Sequence, residues 1–381
     1  MSNHYRHLGI FSDWVDAAQR QQALFPEALP GPATLARVRE VLGFWGTDEM
    51  PLDLRVEQRW QDDDLLGEEL SWSVGFGPRT HAYVIKPAQA NGPLPGIVAL
   101  HDHSDYKFYG KEKIADGPQG IAPGLKSLRD LEYGGRSYVA ALAREGFVVL
   151  VHDCFLWGSR KFPLETMIAA VGEPVGEPTK SSDAPLSSDD VPAEIERYNA
   201  VAALHEHRAA KYCAVLGSSL AGVVSFEDRV ATNVLLSRPD VIASQVGCIG
   251  LSGGGNRAAL LNATHERIAA TVIIGLMTTY EGLLDHNMSH TWMLFPFGWS
   301  RYGDWPDLGA CRAPRPLLVH FDLDDDLFTP DGMRAADEKL AAHYAHVGHP
   351  GNYLGQFYPG PHKFDQGMQR DAFAWLVQRL R

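Results

Sequence analysis

The sequence predicts an α/β fold with a mostly parallel central sheet and helices on both faces. Continuous apolar runs, such as residues 95–100 and 147–151, are typical of strands buried on both faces. Segments with helical spacing of apolar residues separate these runs, and strands that alternate with helices form parallel crossover units. Residues 52–86 instead alternate between apolar and polar side chains, which predicts antiparallel strands at the N-terminal edge of the sheet.

Composition excludes several classes of function. The 381 residues are 45% hydrophobic and carry a net charge of −13, which is typical of a globular protein with one large core or two domains. No cluster of Lys and Arg offers a face to a polyanion, so we expect no nucleic-acid partner. No run approaches the ~18 apolar residues that a membrane span requires, and the N-terminus lacks a signal-peptide pattern. We therefore expect a cytoplasmic protein without a membrane partner.

The residues that commonly bind metals show no metal-site spacing. The four cysteines are widely separated, without a C-x-x-C pattern, and we expect reduced structural thiols at Cys154, Cys213, Cys248 and Cys311. Residues 101–103 (HDH) have no third ligand at a regular spacing, and residues 205–207 (HEH) do not match H-E-x-x-H. The sequence therefore predicts neither a metal site nor a cofactor.

Two domains are predicted. Residues 1–50 form a helical N-terminal extension, expected to pack on the outer sheet, with capping of the site or a subunit contact as alternatives. Residues 51–381 form the main domain, which contains an insertion around 160–192. Residues 172–192 of it are rich in Pro and Ser and are expected to be mobile. Many aromatic residues outside a regular period in segment 286–306 predict pocket walls or a lid, with a small core under a long loop as the alternative. The sequence leaves the oligomeric state open and is compatible with a homo-oligomer.

The segment with the clearest chemistry is GLSGG, residues 250–254. An apolar run over 246–251 ends at Ser252, and an Ala- and Leu-rich segment with helical spacing follows over 257–263. This matches G-x-S-x-G, the nucleophile elbow, in which small neighbours allow a strained serine to expose its hydroxyl at the edge of the sheet. We therefore predict that Ser252 is a nucleophile.

Partners for this serine follow it in a suitable order. The strand-like residues 316–321 lead into a loop with four carboxylates, at Asp322, Asp324, Asp325 and Asp326. His362 lies in a Gly- and Pro-rich loop between a short strand and the terminal helix. Serine, aspartate and histidine in this order are typical of an α/β-hydrolase.

In such a fold, two backbone N–H groups would form an oxyanion hole. One belongs to the residue after the nucleophile, here Gly253, and the other to the loop after an early central strand. We assign the second to His103, with Ser104 as the alternative. Six further residues are candidates for the substrate pocket: Tyr106, Lys107, Trp157, Arg257, Trp292 and Phe295. Lys107, Lys111 and Arg257 would favour a substrate with a carboxylate, although Arg257 is equally suited to pair with an acidic residue.

Several motifs together resemble one group of enzymes. They are LHDH (100–103), GKEK (110–113), GLSGGG (250–255), MTT (277–279), HTWML (290–294) and PRPLL (314–318). Over residues 50–381 the chain resembles bacterial α/β-hydrolases of the acetyl xylan esterase and dienelactone hydrolase-like group. Ser104 departs from this pattern, since similar proteins often have glycine at that position.

The resemblance implies a serine esterase that cleaves short-chain carboxylic esters of small molecules or carbohydrates, without a cofactor. The implied triad is Ser252 as nucleophile, His362 as base and Asp325 as acid. In the group, the acid stands three residues before an apolar residue that precedes proline. Here Thr329 separates Phe328 from the proline, so Asp324 and Asp326 stay alternatives. An acyl-peptidase or amidase, or a catalytically silent binding protein, are the alternative functions.

Overall fold

The computed structural model describes residues 5, 7–43, 49–173, 191–284, 288 and 290–381. Its strands are β1 (Leu52–Asp62), β2 (Leu65–Ser73), β3 (Thr80–Pro87), β4 (Leu94–Leu100), β5 (Val148–His152), β6 (Val241–Leu251), β7 (Ile268–Ile274), β8 (Leu317–Asp322) and β9 (Tyr353–Tyr358). Its α-helices are α1 (Asp13–Gln21), α2 (Pro32–Leu42), α3 (Lys126–Glu132), α4 (Tyr138–Arg144), α5 (Leu164–Val171), α6 (Ala193–Val215), α7 (Leu220–Leu236), α8 (Gly253–Thr264), α9 (Tyr280–Leu283), α10 (Trp305–Ala310), α11 (Pro330–His346) and α12 (Gln366–Leu380). Short 3-10 helices lie at Gly9–Phe11, Lys111–Lys113, Gly158–Arg160, Trp292–Leu294, Trp299–Arg301 and Pro350–Asn352.

The nine strands formed by the described residues belong to one sheet, in the order β1-β2-β3-β5-β4-β6-β7-β8-β9. The first three strands pair antiparallel, and β3 is antiparallel to β5. From β5 to β9 every neighbouring pair is parallel. The predicted parallel sheet with antiparallel N-terminal edge strands is therefore confirmed. Because parallel strands end at the same edge, the loops after β4, β6 and β8 lie close together, where sites form in open α/β sheets.

The core consists of two layers because alternate strand residues point to opposite faces of the sheet. On β4, Val98 and Leu100 belong to the layer that packs against α7 and α8. Ile97 and Ala99 belong to the layer that contains α4 and α12. All four side chains are fully buried, so β4 is covered on both faces, as its continuous apolar sequence predicts.

The N-terminal extension is helical where the structure describes it. Helix α2 packs against α7 and α8, and its Val38 and Leu42 are fully buried in the larger core layer. Pro32 starts this helix and Gly43, with a φ of 70°, ends it, as helix-capping preferences predict. This part of the extension therefore packs on the main domain.

The aromatic segment is anchored in the core rather than detached from it. Met293, Leu294, Trp299 and Trp305 are buried in the larger core layer, whereas Trp292 and Phe297 are 41% and 81% exposed. Within the expected insertion, residues 164–171 form α5, and residues 174–190 lie outside the described part of the chain. Residues 286, 287 and 289 of the aromatic segment also lie outside it.

All four cysteines are buried and free. Among the described residues, no single helix has both the length and the apolar character needed to cross a bilayer, although α6 and α7, which meet at 85°, satisfy those two criteria when they are taken together.

Candidate active site

Ser252 lies at the sharp turn between β6 and α8. Its backbone has φ 56° and ψ −124°, a strained conformation for a residue with a side chain. The turn is possible because the neighbouring glycines allow strand and helix to approach: a Cβ on Gly250 would clash with Gly254, and one on Gly254 would clash with Leu100 O. Ser252 N donates to Ile274 O at 2.9 Å, which ties the turn to β7. The sequence GLSGG thus folds locally into the expected elbow.

His362 and Asp325 form a close pair beside this serine. His362 Nδ1 lies 2.7 Å from Asp325 Oδ2, and Asp325 is almost completely buried. The other carboxylate oxygen, Oδ1, accepts from Leu327 N at 2.8 Å. Gly275 makes room for the imidazole, because a Cβ there would lie only 2.8 Å from His362 Cε1. The geometry holds the ring in one orientation.

The electrostatics of His362 follow from this pairing. Burial alone lowers the pKa of His362, but the charge and hydrogen bond of Asp325 outweigh it and, with Glu132 and Asp322, raise the pKa to about 9. The second ring nitrogen, Nε2, is buried without a hydrogen-bond partner among the described residues. His362 and Ser252 line the same cavity. Nε2 is therefore available to a group inside that cavity.

The other three aspartates of the loop occupy different environments. Asp324 is exposed, and its carboxylate accepts from Gly360 N at 2.8 Å. Asp326 is also exposed. Asp322 is fully buried at the end of β8, and burial raises its pKa to about 7. Asp325, the predicted acid, contacts His362, whereas its alternatives Asp324 and Asp326 do not in the described structure.

Asp322, Asp325 and His362 also form the one cluster of metal-binding residue types found among the described residues. One ligand atom from each lies within 4.8 Å of the others. The 2.7 Å hydrogen bond between His362 and Asp325 accounts for this closeness. These three residues thus consist of a hydrogen-bonded carboxylate–imidazole pair and a second carboxylate close to it.

The loop after β4 brings a second set of backbone groups to Ser252. A Cβ on Gly253 would lie 2.7 Å from His103 N, so the two backbones touch and only glycine fits. Ser104 and Asp105 have φ of 44° and 47°, and this left-handed pair turns the loop over the elbow. In the part of the chain that the structure describes, neither Gly253 N nor His103 N donates a hydrogen bond. The geometry presents two free donors side by side.

A buried ion pair supports this loop from below. Lys113 Nζ lies 2.8 Å from Asp102 Oδ2 and also donates to Asp102 O at 2.6 Å and His103 O at 3.2 Å. The Tyr133 hydroxyl donates to the other carboxylate oxygen of Asp102. Burial would raise the pKa of Asp102, but the Lys113 ammonium outweighs it and lowers that pKa. Both ions are fully buried and mutually dependent.

Glu206 of α6 supports the same loop from the side. Its Oε2 lies 2.7 Å from His103 Nε2 and 2.8 Å from Lys107 Nζ. Its Oε1 accepts from Thr291 Oγ1 at 3.1 Å and from Trp292 N at 3.3 Å. Burial opposes ionisation, but Lys107 and His103 keep the pKa of Glu206 well below its usual range. One buried carboxylate thus joins the loop after β4 to the aromatic segment.

The cavity above Ser252 has a volume of about 60 Å³. Besides Ser252, Gly253, His103, Ser104 and His362, it is lined by six residues that the sequence analysis did not select: Asp105, Glu132, Leu276, His290, Thr291 and Leu327. One signal for Glu132 was present, since it follows the buried Leu125 and Leu128 at helical spacing. A charged residue on the apolar side of a helix indicates a special environment.

The six predicted pocket residues are not part of this lining. Lys107 is buried against Glu206, and Arg257 is buried against Asp228, with Nη2 2.7 Å from Oδ1. Trp157 is buried beneath the Lys107 ammonium, which lies 5.3 Å from its ring centroid. Tyr106 is buried in a small cluster with Leu125 and Leu128.

The remaining two lie in the aromatic segment. Phe295 is half-buried and stacks on Tyr280, and Trp292 is partly exposed, with its indole N–H donating to His207. The structure therefore places all six behind or beside the cavity wall. Lys111, the third candidate for binding a carboxylate, pairs with Asp153 at 3.0 Å.

These features can be compared with known proteins. No protein-family model matches the chain. Among curated proteins it is 22% identical over 297 residues to "Putative hydrolase YtaP" of Bacillus subtilis (strain 168), which covers 77% of this chain and 81% of that protein. Among solved structures it resembles a "putative acetyl xylan esterase" from Bacteroides fragilis NCTC 9343, with a TM-score of 0.65, 18% identity and coverage of 93% and 83% of the two chains.

Two further structures extend this likeness. A glucuronoyl esterase from Solibacter usitatus gives a TM-score of 0.61 at 15% identity, with 92% of each chain covered. Acetyl xylan esterase 1 from Thermoanaerobacterium sp. JW/SL YS485 gives 0.54 at 17% identity, covering 94% of this chain and 97% of that one. The chain has the α/β-hydrolase fold. In this fold the elbow after a central strand, an acid after a later strand and a histidine near the C-terminus meet at one edge of the sheet.

Proposed function

We propose that this α/β-hydrolase is a serine hydrolase of carboxylic esters with short acyl groups. The observation that carries the proposal is one small cavity that joins a strained serine, an imidazole fixed by a carboxylate and two free backbone N–H groups. The names of the structural neighbours, acetyl xylan esterase and glucuronoyl esterase, support ester chemistry. The proposed substrates are small-molecule or carbohydrate esters, and no cofactor is needed.

The first half of the reaction forms an acyl-enzyme. Ser252 Oγ attacks the ester carbonyl carbon while His362 Nε2 takes the hydroxyl proton. Asp325 keeps the proton of Nδ1 in place and stabilises the imidazolium. The N–H groups of Gly253 and His103 bind the oxyanion, and each such donor contributes roughly 3 kcal/mol to transition-state stabilisation. His362 then returns the proton to the leaving alcohol.

Hydrolysis of the acyl-enzyme repeats these steps with water. His362 removes a proton from the water as it attacks the acyl carbon, and the acid is released from Ser252. The cavity of about 60 Å³ is far smaller than the roughly 300–1,000 Å³ of typical ligand pockets. A space of this size supports an acetyl-sized acyl group and leaves room for only the first atoms of the alcohol part.

The test compares p-nitrophenyl acetate, butyrate and octanoate as substrates of the wild type and Ser252→Ala. We expect the acetate to react fastest and Ser252→Ala to lose activity by at least ~10,000-fold, because the nucleophile is absent. A fluorophosphonate probe should label the wild type but not Ser252→Ala. Ser104→Ala is the matched control, since it removes the other serine hydroxyl of the cavity and should keep the label. Esterase activity that survives in Ser252→Ala would contradict the proposal.

A further inference from the structure

Glu132 is a cavity residue for which the proposed reaction has no use. It ends α3, is 4% exposed and lines the cavity together with Ser252 and His362. Its backbone carbonyl accepts from Phe364 N at 2.6 Å, two residues after the histidine. This bond fixes the end of α3 to the loop that carries the base. The Glu132 carboxyl group is therefore held next to the reacting groups.

The hydrogen-bonding capacity of this carboxyl group is mostly unused. Both of its oxygens lie 3.2 Å from the same atom, Ser104 Oγ. One hydroxyl can donate only one proton, whereas a carboxyl group offers several acceptor positions. Among the described residues, Ser104 is the only hydrogen-bond partner of this side chain. Because buried polar groups are normally satisfied, the unused positions point to a ligand in the cavity.

Orientation of the imidazole does not explain Glu132. His362 Nδ1 already bonds to Asp325, so the orienting role is filled. Burial, and then the negative charge of Asp102, raise the pKa of Glu132 to about 8. The raised pKa favours the carboxylic acid form, which can donate one hydrogen bond and accept others. A hydroxyl group is the natural partner, because it also donates and accepts.

The surrounding charges argue against an anionic partner. No Lys or Arg belongs to the described lining of the cavity, which includes the two acids Asp105 and Glu132. The nearby cations Lys107 and Arg257 are buried in pairs with acids of their own. Apart from its imidazoles, the described lining offers no side-chain cation to a ligand with a free carboxylate. A neutral, hydroxylated ligand needs no such cation.

We propose that Glu132 is a specificity-determining residue whose carboxyl group binds a hydroxyl on the alcohol part of the ester, so that partly acylated polyols and sugars are preferred over alkyl esters. This inference rests on the proposed esterase function. Because Glu132 lines the same cavity as Ser252 and His362, its carboxyl group is within reach of a hydroxyl on the first carbons of the alcohol part.

The test uses two esters of equal size and the same acyl group, 2-hydroxyethyl acetate and propyl acetate, which differ by a hydroxyl in place of a methyl. We measure kcat/KM for both with the wild type, Glu132→Gln and Glu132→Leu. The wild type should prefer the hydroxylated ester by at least about tenfold, since a site built to bond a hydroxyl rejects the analogue without it. Glu132→Leu should bring the ratio close to one. Glu132→Gln should retain part of it, because an amide also donates and accepts.

The matched control is Asp130→Asn, which removes an acid from the same helix but one that pairs with Lys126 on the surface. Its ratio should equal that of the wild type. If Glu132 acted only by positioning Ser104, both variants would lose activity equally on the two esters. The ratio of the two kcat/KM values would then stay at its wild-type value, and this result would overturn the inference. If Glu132→Leu does not fold, Glu132→Gln alone decides. A ratio of the two kcat/KM values equal to that of the wild type at both pH 6 and pH 9 would then overturn the inference. Failure of the proposed function is distinct, because wild type would then hydrolyse neither ester.

Discussion

The two loops on either side of Ser252 are built on opposite principles. The loop after β4, residues 101–105, is held by buried charges: Asp102 pairs with Lys113 beneath it, and the side chain of His103 bonds to Glu206 beside it. The loop after β8 is held mainly through the backbone. Leu323 N donates to Tyr358 O at 2.9 Å and Asp324 N to Gly360 O at 3.1 Å, which joins this loop to the segment before His362.

In each loop, the groups proposed to react differ from the groups that hold them in position. In the loop after β4, the groups proposed to act are backbone N–H groups, and side chains elsewhere in the chain set their position. In the loop after β8, the side chains act and the backbone bonds set their position. Removing one member of a buried ion pair leaves an uncompensated charge, at a cost of about 3–5 kcal/mol. Side-chain changes after β8 should therefore alter the reaction more than the stability, whereas those around β4 should alter both, because they remove the contacts that position the N–H groups.

Among changes in these two loops, the largest effect is expected for Asp325→Asn. The amide cannot accept the Nδ1 proton as the carboxylate does, so the ring loses both its orientation and the stabilisation of its charged form. We expect kcat for p-nitrophenyl acetate to fall by about 10,000-fold, as for the equivalent change in a serine protease. Thermal unfolding should show little change in stability, because the backbone bonds of the loop stay in place.

Two neighbouring acids provide controls for this substitution. Asp324→Asn keeps an acceptor for Gly360 N and should retain most of the activity. Asp322→Asn removes the second buried acid near the imidazole and tests whether it can replace Asp325. Near-normal turnover in Asp325→Asn, together with a large loss in Asp322→Asn, would transfer the role of the acid to Asp322.

A smaller effect is expected for Glu206→Gln, which acts on the other loop. The amide keeps the size of the side chain but removes the charge that holds His103, Lys107 and the aromatic segment. The N–H of His103 would lose its fixed position, and loss of one oxyanion donor costs about 100-fold or more in kcat. KM should change much less. The measurement is the separate determination of kcat and KM for p-nitrophenyl acetate.

His207→Ala is the matched control for that variant. His207 is exposed on the next position of α6, and among the described residues its one hydrogen bond is accepted from the Trp292 indole N–H. Its loss would loosen the aromatic segment from outside without affecting His103. An equal fall in kcat in both variants would show that the aromatic segment, rather than the oxyanion loop, depends on Glu206.

The same contrast explains how much the sequence could predict. The elbow, the parallel sheet and the position of His362 depend on local patterns: a glycine-rich turn after an apolar run, or a loop before a terminal helix. Glu206 depends on a contact between residues about 100 positions apart, and no local pattern encodes it. Its one signal is that it replaces an apolar residue on the buried side of α6, in line with Ala202 and Ala209.

The candidate pocket residues show a second limit of prediction from the sequence. In the sequence, Lys107 and Arg257 suggest an anionic substrate because each is a cation near predicted site residues. In the structure each cation is buried against an acid from a distant segment, Glu206 and Asp228. A sequence shows that charges are present but not which of them pair. Selection of exposed, ligand-binding cations therefore requires the tertiary structure.

The smallest of the expected effects is a pH dependence that distinguishes the two loops once more. The proposed base must be neutral, and the pKa of His362 is raised to about 9 because Asp325, Glu132 and Asp322 outweigh the effect of burial. The imidazole is then largely protonated at pH 8 and largely neutral at pH 10. We expect kcat/KM for propyl acetate, corrected for alkaline hydrolysis, to rise about tenfold between these values.

Variants of the two loops should move this profile differently. Asp325→Asn removes the charge that raises the pKa but leaves the burial that lowers it, so the midpoint of its residual activity should fall toward or below 6.5. Glu206→Gln acts on backbone donors that do not titrate, and its profile should keep the wild-type midpoint at a lower maximum. A wild-type midpoint near 6.5 would mean that the three carboxylates do not raise the pKa of His362 in solution. A midpoint that moves in Glu206→Gln would mean that the two loops are not electrostatically independent.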